Sequence, residues 1–238
     1  MNNTDKISQH RCGHVAIVSK PNVGKSTLLN RLIGQKISIT ARKPQTTRHH
    51  ILGINNIGNN QIIYIDSPGI QTTPKNAINR YMNRQAINLI DTADLLMIMI
   101  EALKWTDNDE LVLNSIKDSN TNKILLINKI DRITDKQQLL PFIDQLKPKF
   151  KNMEIIPMST LLDDDVNDLQ NRIIHYLPVS EKLYDSDQIT NRSSRFLAAE
   201  LIREKIIQKL GDELPYESTV TIDSFKQIET ILHIHATV

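Results

Sequence analysis

The sequence predicts an α/β fold, in which helices cover both faces of a mostly parallel sheet, followed by a smaller α+β segment. Three observations predict this fold. Short apolar runs alternate with stretches of helical length over the first two-thirds of the chain. One run, residues 95–100, is apolar without a break, which is typical of a strand buried on both faces. The 238 residues suffice for one full domain and part of a second.

The elements follow one another in a strand–helix order. Two β-type runs flank Gly-Asn-Asn at residues 58–60, which indicates a hairpin. Strands separated by helices imply right-handed crossovers, and ligands bind such sheets at the carboxyl ends of the strands. The predicted strands are 14–18, 51–56, 62–65, 95–100, 124–127, 154–158, 218–225 and 229–238. The predicted helices are 26–33, 76–91, 108–117, 136–146, 164–176 and one that begins near residue 193 and ends at Gly211.

The composition excludes several classes of protein. The chain has 29 Lys and Arg against 27 Asp and Glu, a balance too even to indicate nucleic-acid binding by charge alone. Its one cysteine, Cys12, excludes an internal disulfide framework and a thiolate zinc cluster. Residues 1–13 lack the apolar core of a signal peptide, and no apolar run approaches the ~20 residues of a membrane span. We expect a cytoplasmic protein, with peripheral membrane contact left open.

The strongest motif lies between the first predicted strand and the first predicted helix. It ends in Gly-Lys-Ser at residues 24–26, as a phosphate-binding P-loop does. Such a loop surrounds phosphate oxygens with backbone N–H groups at a helix N-terminus. Lys25 would reach the β- and γ-phosphates, and Ser26 would offer its hydroxyl to Mg²⁺. The predicted contacts are Ser19, Lys20, Pro21, Asn22, Val23, Gly24, Lys25, Ser26 and, mainly as a helix starter, Thr27.

One position of this loop departs from the pattern. Ser19 stands where a P-loop has its first glycine. Glycine there allows backbone angles that serine reaches only with strain, so we expect strain at Ser19. A chance Gly-Lys-Ser in a glycine-poor turn is the alternative interpretation, which the strand–turn–helix setting disfavours.

A second motif follows the predicted strand 62–65. We expect Asp66 to hold Mg²⁺, through a water molecule, and Gly69 to offer its N–H to the γ-phosphate. Alone, this tetrapeptide is an ordinary turn. Its residues are Asp66, Ser67, Pro68 and Gly69.

A third motif, Asn128-Lys129-Ile130-Asp131, follows the predicted strand 124–127. An ionised carboxylate only accepts hydrogen bonds, so Asp131 can bind the adjacent N1–H and N2–H donors of guanine but not adenine. Asn128 would brace the loop, and the Lys129 stem would lie along the base plane. Three such motifs at three successive strand ends indicate a guanine-nucleotide site.

These motifs resemble those of the Era family. Members of this family are translation-factor-class GTPases with a C-terminal RNA-binding KH domain. The resemblance covers residues 12–238. The segment Arg-Lys-Pro-Gln-Thr-Thr-Arg-His at 42–49 is the most diagnostic, because it resembles the switch loop of this family. The other pieces are residues 20–27, 66–69, 128–131, Phe-Leu-Ala-Ala-Glu at 196–200 and Gly-Asp-Glu-Leu-Pro-Tyr at 211–216.

The resemblance implies further site residues. Thr47 would be the switch threonine that contacts Mg²⁺ and the γ-phosphate, with Thr46 as the second choice. A fifth motif is expected at Ser159-Thr160, where the family more often has Ser-Ala, and the Thr160 N–H would reach the guanine O6. The implied catalytic residues are Lys25, Thr47 and Gly69, and the implied metal ligands are Ser26, Thr47 and Asp66.

The expected hydrolysis mechanism is limited by the lack of a glutamine after the Asp-x-x-Gly motif. Ras-like enzymes place a glutamine after the Asp-x-x-Gly motif to orient the attacking water. This chain has Ile70 there, which we count among the nucleotide contacts although its side chain cannot position water. The resemblance therefore implies slow, Mg²⁺-dependent hydrolysis of GTP to GDP and phosphate, with the water held by backbone, switch residues or a partner.

The resemblance also divides the chain. It implies an N-terminal tail (1–13), a GTPase domain (14–177), a linker (178–191) and a partial KH-type domain (192–238). A KH domain grips RNA with a Gly-x-x-Gly loop, and no such pattern follows Gly211. We expect that loop to lie outside these 238 residues, and the C-terminal strands to be poorly packed with an exposed edge.

The function implied is a GTP-dependent switch in the assembly of the small ribosomal subunit. The expected partners are GTP, Mg²⁺ and small-subunit ribosomal RNA. We expect a monomer and leave contact with the inner-membrane surface as an open alternative. An alternative is a guanine-nucleotide-sensing RNA- or ribosome-binding protein with negligible hydrolysis, given Ser19 and Ile70. An ATP-using P-loop enzyme is disfavoured by Asp131.

Overall fold

The structure is a computed structural model that describes residues 10–40, 50–71, 77–209 and 218–238. A six-stranded sheet with the order β2-β3-β1-β4-β5-β6 forms its centre. β2 pairs antiparallel with β3, and the other neighbours pair in parallel, as predicted. The strands are β1 (Cys12–Val18), β2 (Ile51–Ile57), β3 (Asn60–Asp66), β4 (Leu95–Glu101), β5 (Asn122–Asn128) and β6 (Glu154–Pro157).

β4 shows why the sheet is covered on both faces. Leu95, Met97 and Met99 belong to one apolar cluster, while Leu96 and its alternating neighbours belong to the other. All six apolar residues of the strand are buried. Since successive side chains of a strand point to opposite faces, an unbroken apolar run requires cover on each side. The prediction from residues 95–100 is confirmed.

Five of the six α-helices in the described ranges supply this cover, and the last leads into the C-terminal part. α1 and α5 pack on one face of the sheet, and α2, α3 and α4 pack on the other. The helices are α1 (Lys25–Ile33), α2 (Ala77–Asn88), α3 (Asp107–Ile116), α4 (Leu139–Leu146), α5 (Asp163–Tyr176) and α6 (Ser194–Lys209).

One predicted helix begins later than expected. The stretch 136–146 starts with a 3₁₀ turn, Lys136–Gln138, and α4 itself begins at Leu139. Pro141 explains the difference, because proline lacks an N–H and fits the first turn of an α-helix but not its interior. A helix from residue 136 would have placed Pro141 in its second turn.

Residues 178–191, predicted to be a linker, are attached to the edge of the sheet. The Ile54 N–H donates to Ile189 O (2.9 Å), and the buried Gln61 Oε1 accepts from the N–H groups of Leu183 (2.8 Å) and Tyr184 (3.0 Å). The first bond occupies a backbone group of β2, which would otherwise be an open edge strand, and the other two attach the segment to the Gln61 side chain of β3. The segment had no periodicity from which this could be predicted, because its partners, the Ile54 N–H and the Gln61 side chain, are distant in sequence.

α6 is attached to the segment that leads toward residues 41–49. The Glu204 carboxylate is fully buried and accepts hydrogen bonds from Thr40 N (3.0 Å) and Thr40 Oγ1 (3.1 Å). Lys36 Nζ lies 2.5 Å from its other oxygen. Burial alone would raise the pKa of Glu204, but these donors outweigh it and lower the pKa below its ordinary value. Glu204 therefore remains charged and holds this segment against α6.

The last two strands, β7 (Thr221–Ile228) and β8 (Ile231–Thr237), form a separate antiparallel hairpin. Every residue of β8 is exposed. Its large apolar side chains are among the most open of the described residues, for example Ile231 at 62% and Leu232 at 47%. This agrees with the poor packing expected from the sequence. No helix among the described stretches has the length and apolar character needed to cross a bilayer.

We predict that β7 and β8 exchange their amide hydrogens far faster than β4 in the 238-residue chain. An isolated two-stranded hairpin is marginally stable in water, so it should open at about 1–2 kcal/mol, against about 5–15 kcal/mol for global unfolding. Hydrogen exchange read by mass spectrometry measures both. The β2–β3 hairpin, which is part of the large sheet, is the matched control and should exchange slowly. Equal protection of β4 and β8 in a monomer would contradict the prediction.

Candidate functional site

Four strand ends bring the predicted motifs together at one edge of the sheet. The parallel strands β1, β3, β5 and β6 all end there. The phosphate loop follows β1, Asp66 ends β3, Asn128 ends β5, and Ser159 follows β6. This is the edge at which ligands bind open α/β sheets, as the sequence predicted.

The backbone of the phosphate loop does not strain Ser19. The left-handed residues of the loop are Asn22, with φ of 63°, and Gly24, with φ of 119°. Asparagine tolerates this region better than most residues, and glycine enters it freely. The expectation of strain at Ser19 is therefore wrong, because the positions that need special backbone angles lie further along the loop.

Lys25 is held inside the loop by two oxygen acceptors. Its Nζ donates to Ser19 Oγ (2.9 Å) and to Lys20 O (3.2 Å). Ser19 Oγ in turn donates to Lys20 O (2.6 Å). Burial lowers the pKa of Lys25 to about 8, against the opposing effect of the Asp66 carboxylate. The ammonium thus lies in an environment poor in water, where an anionic ligand would stabilise its charge.

Asp66 lies beside this lysine and is also fully buried. Its Oδ2 accepts from Ser26 Oγ and from Ser38 Oγ, both at 2.8 Å. Burial raises the pKa of Asp66, and the Lys25 ammonium and the two hydroxyl groups act in the opposite direction. No described residue donates a hydrogen bond to its other oxygen, Oδ1.

Ser38 is a site residue that the motifs did not identify. Asn30 in α1 positions it, because Asn30 Oδ1 accepts from the N–H groups of Ile37 (3.0 Å) and Ser38 (2.9 Å). Asn30 Nδ2 also donates to Ser38 O (2.7 Å). The sequence gives little indication of this role, because Asn30 reaches a turn seven residues later only if α1 ends between the two.

The residues present fit a magnesium ion. Mg²⁺ prefers oxygen ligands and binds through one or two carboxylates together with substrate phosphates. The Ser26 hydroxyl adjoins Asp66, whose buried Oδ1 has no donor among the described residues. These residues also contain no cluster of three or more His, Cys, Asp or Glu that could hold a metal by itself. Thr47, the expected switch threonine, and its alternative Thr46 lie outside the described residues.

Residues 66–70 are attached to the phosphate loop. A Cβ added to Gly69 would lie 2.6 Å from Pro21 N, so only glycine fits there without displacing the loop. The Ile70 N–H donates to Ser19 O (3.0 Å), and its side chain is fully buried. Ser67 Oγ donates to the backbone of β1 (2.9 Å). Ile70 therefore contributes to the core and to the position of the loop, and it has no side-chain group with which to orient water.

Asn128, predicted to brace its own loop, also connects that loop to two others. Its Nδ2 donates to Val23 O in the phosphate loop (2.8 Å), and its Oδ1 accepts from Thr160 N (3.0 Å). Both contacts are buried. The same Thr160 N–H was expected to reach the guanine O6, but the structure directs it at Asn128.

Lys129 lies over the phosphate loop. Its Nζ donates to Asn22 O (2.8 Å) and to Glu101 Oε2 (2.9 Å). Its backbone is left-handed, with φ of 66°. Glu101 ends β4 and was not predicted to belong to the site, because no motif marks it.

Asp131, the predicted base-reading residue, is exposed at the rim of the site. Its Oδ1 accepts from Ser159 Oγ (2.6 Å), and the Ser159 N–H donates to Asp165 Oδ2 (2.7 Å). This chain of bonds connects the base-reading loop to the first turn of α5. The structure thus brings together the third motif and the proposed fifth motif.

The remaining predicted contacts of the phosphate loop are fixed by the protein itself. Lys20 Nζ donates to Asp109 Oδ2 (2.6 Å) and Thr106 Oγ1 (3.1 Å) at the start of α3. Val23 is fully buried, and Thr27 lies in the first turn of α1. The charge of Lys20 is therefore directed at α3 rather than into the loop.

Comparisons with known proteins agree with this geometry. The family model described as a 50S ribosome-binding GTPase matches residues 14–129. The GTPase Era of Ectopseudomonas mendocina is 50% identical over 225 residues, which cover 94% of this chain and 75% of that protein. The GTPase Era of Azotobacter vinelandii is 48% identical over 226 residues, covering 95% of this chain and 75% of that protein.

Solved structures show the same similarity. An Era variant from Aquifex aeolicus bound to GDP and aluminium fluoride matches with a TM-score of 0.88 and 40% identity, over 95% of this chain and 78% of that one. Era in complex with MgGDPNP and nucleotides 1506–1542 of 16S ribosomal RNA matches with a TM-score of 0.89, the same identity and the same coverage. Since relatives about half identical to it are matched over three-quarters of their length, the chain belongs to the Era family of GTPases.

Proposed function

We propose that this GTPase hydrolyses GTP slowly, with Mg²⁺, as a switch that binds small-subunit ribosomal RNA during assembly of the small ribosomal subunit. One observation carries the nucleotide part of the proposal. Asn128 joins the phosphate loop, the base-reading loop and the Ser159-Thr160 loop in one buried network. That network supports a single site with one end that would bind phosphates and another that would read guanine.

The phosphate end would stabilise charge rather than act as a base. Backbone N–H groups of the loop and the Lys25 ammonium would hold the β- and γ-phosphates, and Gly69 would offer its N–H to the γ-phosphate. Ser26, Asp66 and Thr47 would hold Mg²⁺, which would neutralise charge on the same phosphates. The buried ammonium and the Asp66 Oδ1, which has no donor in the part of the chain that the structure describes, support these assignments.

The base end would select guanine through Asp131. Ser159 occupies Oδ1 of this carboxylate at 2.6 Å and so fixes the plane of the group. Asn128 and Lys129 hold the loop against the phosphate loop, at Val23 O and Asn22 O. A carboxylate fixed in this way suits the paired N1–H and N2–H donors of guanine.

Slow hydrolysis follows from Ile70. Its side chain is buried in the core and has no polar atom, so the attacking water must be oriented by backbone, by switch residues or by a partner. Phosphoryl transfer depends mainly on positioning and charge stabilisation, so such a site still supports a slow reaction.

The RNA part of the proposal rests on the relatives and on α6 with the strands that follow. A relative 40% identical to this chain was solved with a 16S ribosomal RNA fragment. We assign residues 14–177 to the GTPase domain, 178–191 to the connection and 192–238 to a partial KH-type domain. The family resemblance also supports a cytoplasmic monomer that contacts the membrane surface only peripherally.

Nucleotide titration combined with single-turnover hydrolysis tests this function. Fluorescent GTP and GDP should bind and ATP should not, and phosphate release should require Mg²⁺. Tight GTP binding without Mg²⁺-dependent phosphate release would favour the nucleotide-sensing alternative. A preference for ATP would contradict both. An RNA with the sequence of nucleotides 1506–1542 should bind better with GTP present than with GDP.

The Asp131→Asn variant should lose about 10- to 100-fold in GTP affinity and gain affinity for xanthine nucleotides. The amide replaces a charged acceptor with a group that can donate to the xanthine O2. Competition titrations with GTP and XTP measure the change. Asp135→Asn is the matched control, since this exposed aspartate caps a neighbouring turn at Gln137 N (3.0 Å) and should leave the preference for guanine intact. Unchanged GTP affinity in Asp131→Asn would exclude the base-reading role.

Nucleotide affinity should fall as the pH rises above about 8. The pKa of Lys25 is lowered to about 8 by burial, and bound phosphates would raise it. Binding therefore takes up a proton above that pH, and the affinity should fall by up to about tenfold per pH unit. Below about 8 the lysine is already charged and the affinity should be flat. Calorimetry in two buffers of different ionisation enthalpy counts the proton.

Lys123→Met is the control for this pH dependence. Burial also lowers the pKa of Lys123, but it lies at the amino end of β5, where its Nζ donates to Thr121 O (3.1 Å). The Lys123→Met variant should show the same fall of nucleotide affinity with rising pH as the unmodified protein. A pH-independent affinity of the unmodified protein between about pH 7 and about pH 10 would contradict the role of Lys25.

A further inference from the structure

We propose that the Ser19 hydroxyl occupies the position of a terminal-phosphate oxygen at Lys25 and thereby shifts the preference of the site from GTP toward GDP. The inference rests on the proposed nucleotide function. It concerns a side chain that P-loops normally lack, because their pattern places glycine at this position.

The geometry makes Ser19 a direct partner of the phosphate-binding lysine. Lys25 Nζ lies 2.9 Å from Ser19 Oγ. The hydrogen of this hydroxyl is directed at Lys20 O (2.6 Å), so its lone pairs are the part that faces the ammonium. Ser19 is fully buried and Lys25 is 7% exposed, so water competes little for this bond. The hydroxyl is therefore a fixed acceptor for Lys25.

A count of donors shows why this acceptor distinguishes the two nucleotides. An ammonium has three hydrogens to donate. Lys20 O accepts one of them at 3.2 Å. GDP adds a β-phosphate oxygen, which leaves the third hydrogen for Ser19 Oγ. GTP adds a γ-phosphate oxygen as well, so four acceptors compete for three hydrogens and the Ser19 bond is lost.

The backbone permits this role without strain. The left-handed positions of the loop are Asn22 and Gly24, and Ser19 is not one of them. Replacing Ser19 by alanine or glycine therefore removes the hydroxyl while leaving the loop conformation accessible. Without the hydroxyl, a GTP-bound protein loses nothing, whereas the nucleotide-free and GDP-bound proteins lose the same bond.

The test compares the affinity of GDP with that of GDPNP, a GTP analogue that resists hydrolysis, in the full chain. Ser19→Ala should bind GDPNP about tenfold more tightly than the unmodified protein, because binding no longer breaks the bond between Ser19 and the charged Lys25. The GDP affinity should be unchanged, because the variant lacks this bond both with and without GDP. Ser19→Gly should behave in the same way. Ser115→Ala, which removes a half-buried hydroxyl bonded to Val112 O (2.7 Å) in α3, is the matched control and should change neither affinity.

A second measurement tests the bond without any nucleotide. Nuclear magnetic resonance of ¹⁵N-labelled lysine should show faster exchange of the Lys25 Nζ hydrogens with water in Ser19→Ala, since one hydrogen bond of the ammonium has been removed. Equal changes in GDP and GDPNP affinity, or unchanged hydrogen exchange at Lys25 Nζ, would overturn the inference. Failure of the unmodified protein to bind either guanine nucleotide would instead overturn the proposed function.

Discussion

The bond between Asn128 Nδ2 and Val23 O is the interaction on which the site depends. It connects the carboxyl end of β5 to the phosphate loop, while the Oδ1 of the same side chain accepts from Thr160 after β6. A Cβ at Gly24 would lie 2.6 Å from this amide, so the glycine of the loop is required for the brace as well as for its own backbone angle. One buried amide thereby fixes the distance between the phosphate-binding and base-reading loops.

The buried charges at this edge are balanced by oxygen and nitrogen partners and by each other. Lys25 has a lowered pKa and Asp66 a raised one, and burial is the main cause of both shifts. Each group opposes the effect of burial on the other, so the pair tolerates an environment that would neutralise either alone. Charges held in this way are costly to the fold, and they are best stabilised by a ligand that supplies the missing partners, namely phosphate oxygens and a divalent cation.

The phosphate site is also connected to α6 through a short path. Ser38 bonds Asp66, and two residues later Thr40 bonds the buried Glu204 carboxylate of α6, which also pairs with Lys36. The path consists of two hydrogen bonds joined by the backbone from Ser38 to Thr40, so a displacement of Ser38 at the carboxylate that we propose holds Mg²⁺ acts on the same segment that α6 holds. The second part of the chain thus contacts the segment between the phosphate loop and the residues 41–49 that resemble a switch loop.

The sequence by itself determined the order of the elements and the three motifs at the strand ends, because apolar periodicity and turn chemistry are local properties. The two-faced burial of β4, the hairpin at residues 58–60 and the brace by Asn128 could all be predicted in this way. Only the tertiary structure decided which residues distant in sequence contact one another, because local patterns do not contain this information. The backbone of Ser19 is unstrained because Asn22 and Gly24 take the left-handed positions. Residues 178–191, predicted to be a linker, are held at the edge of the sheet by Ile54 of β2 and Gln61 of β3. Contacts between residues distant in sequence also bring Ser38, Glu101 and Asp165 to the site, and no sequence motif includes these three residues.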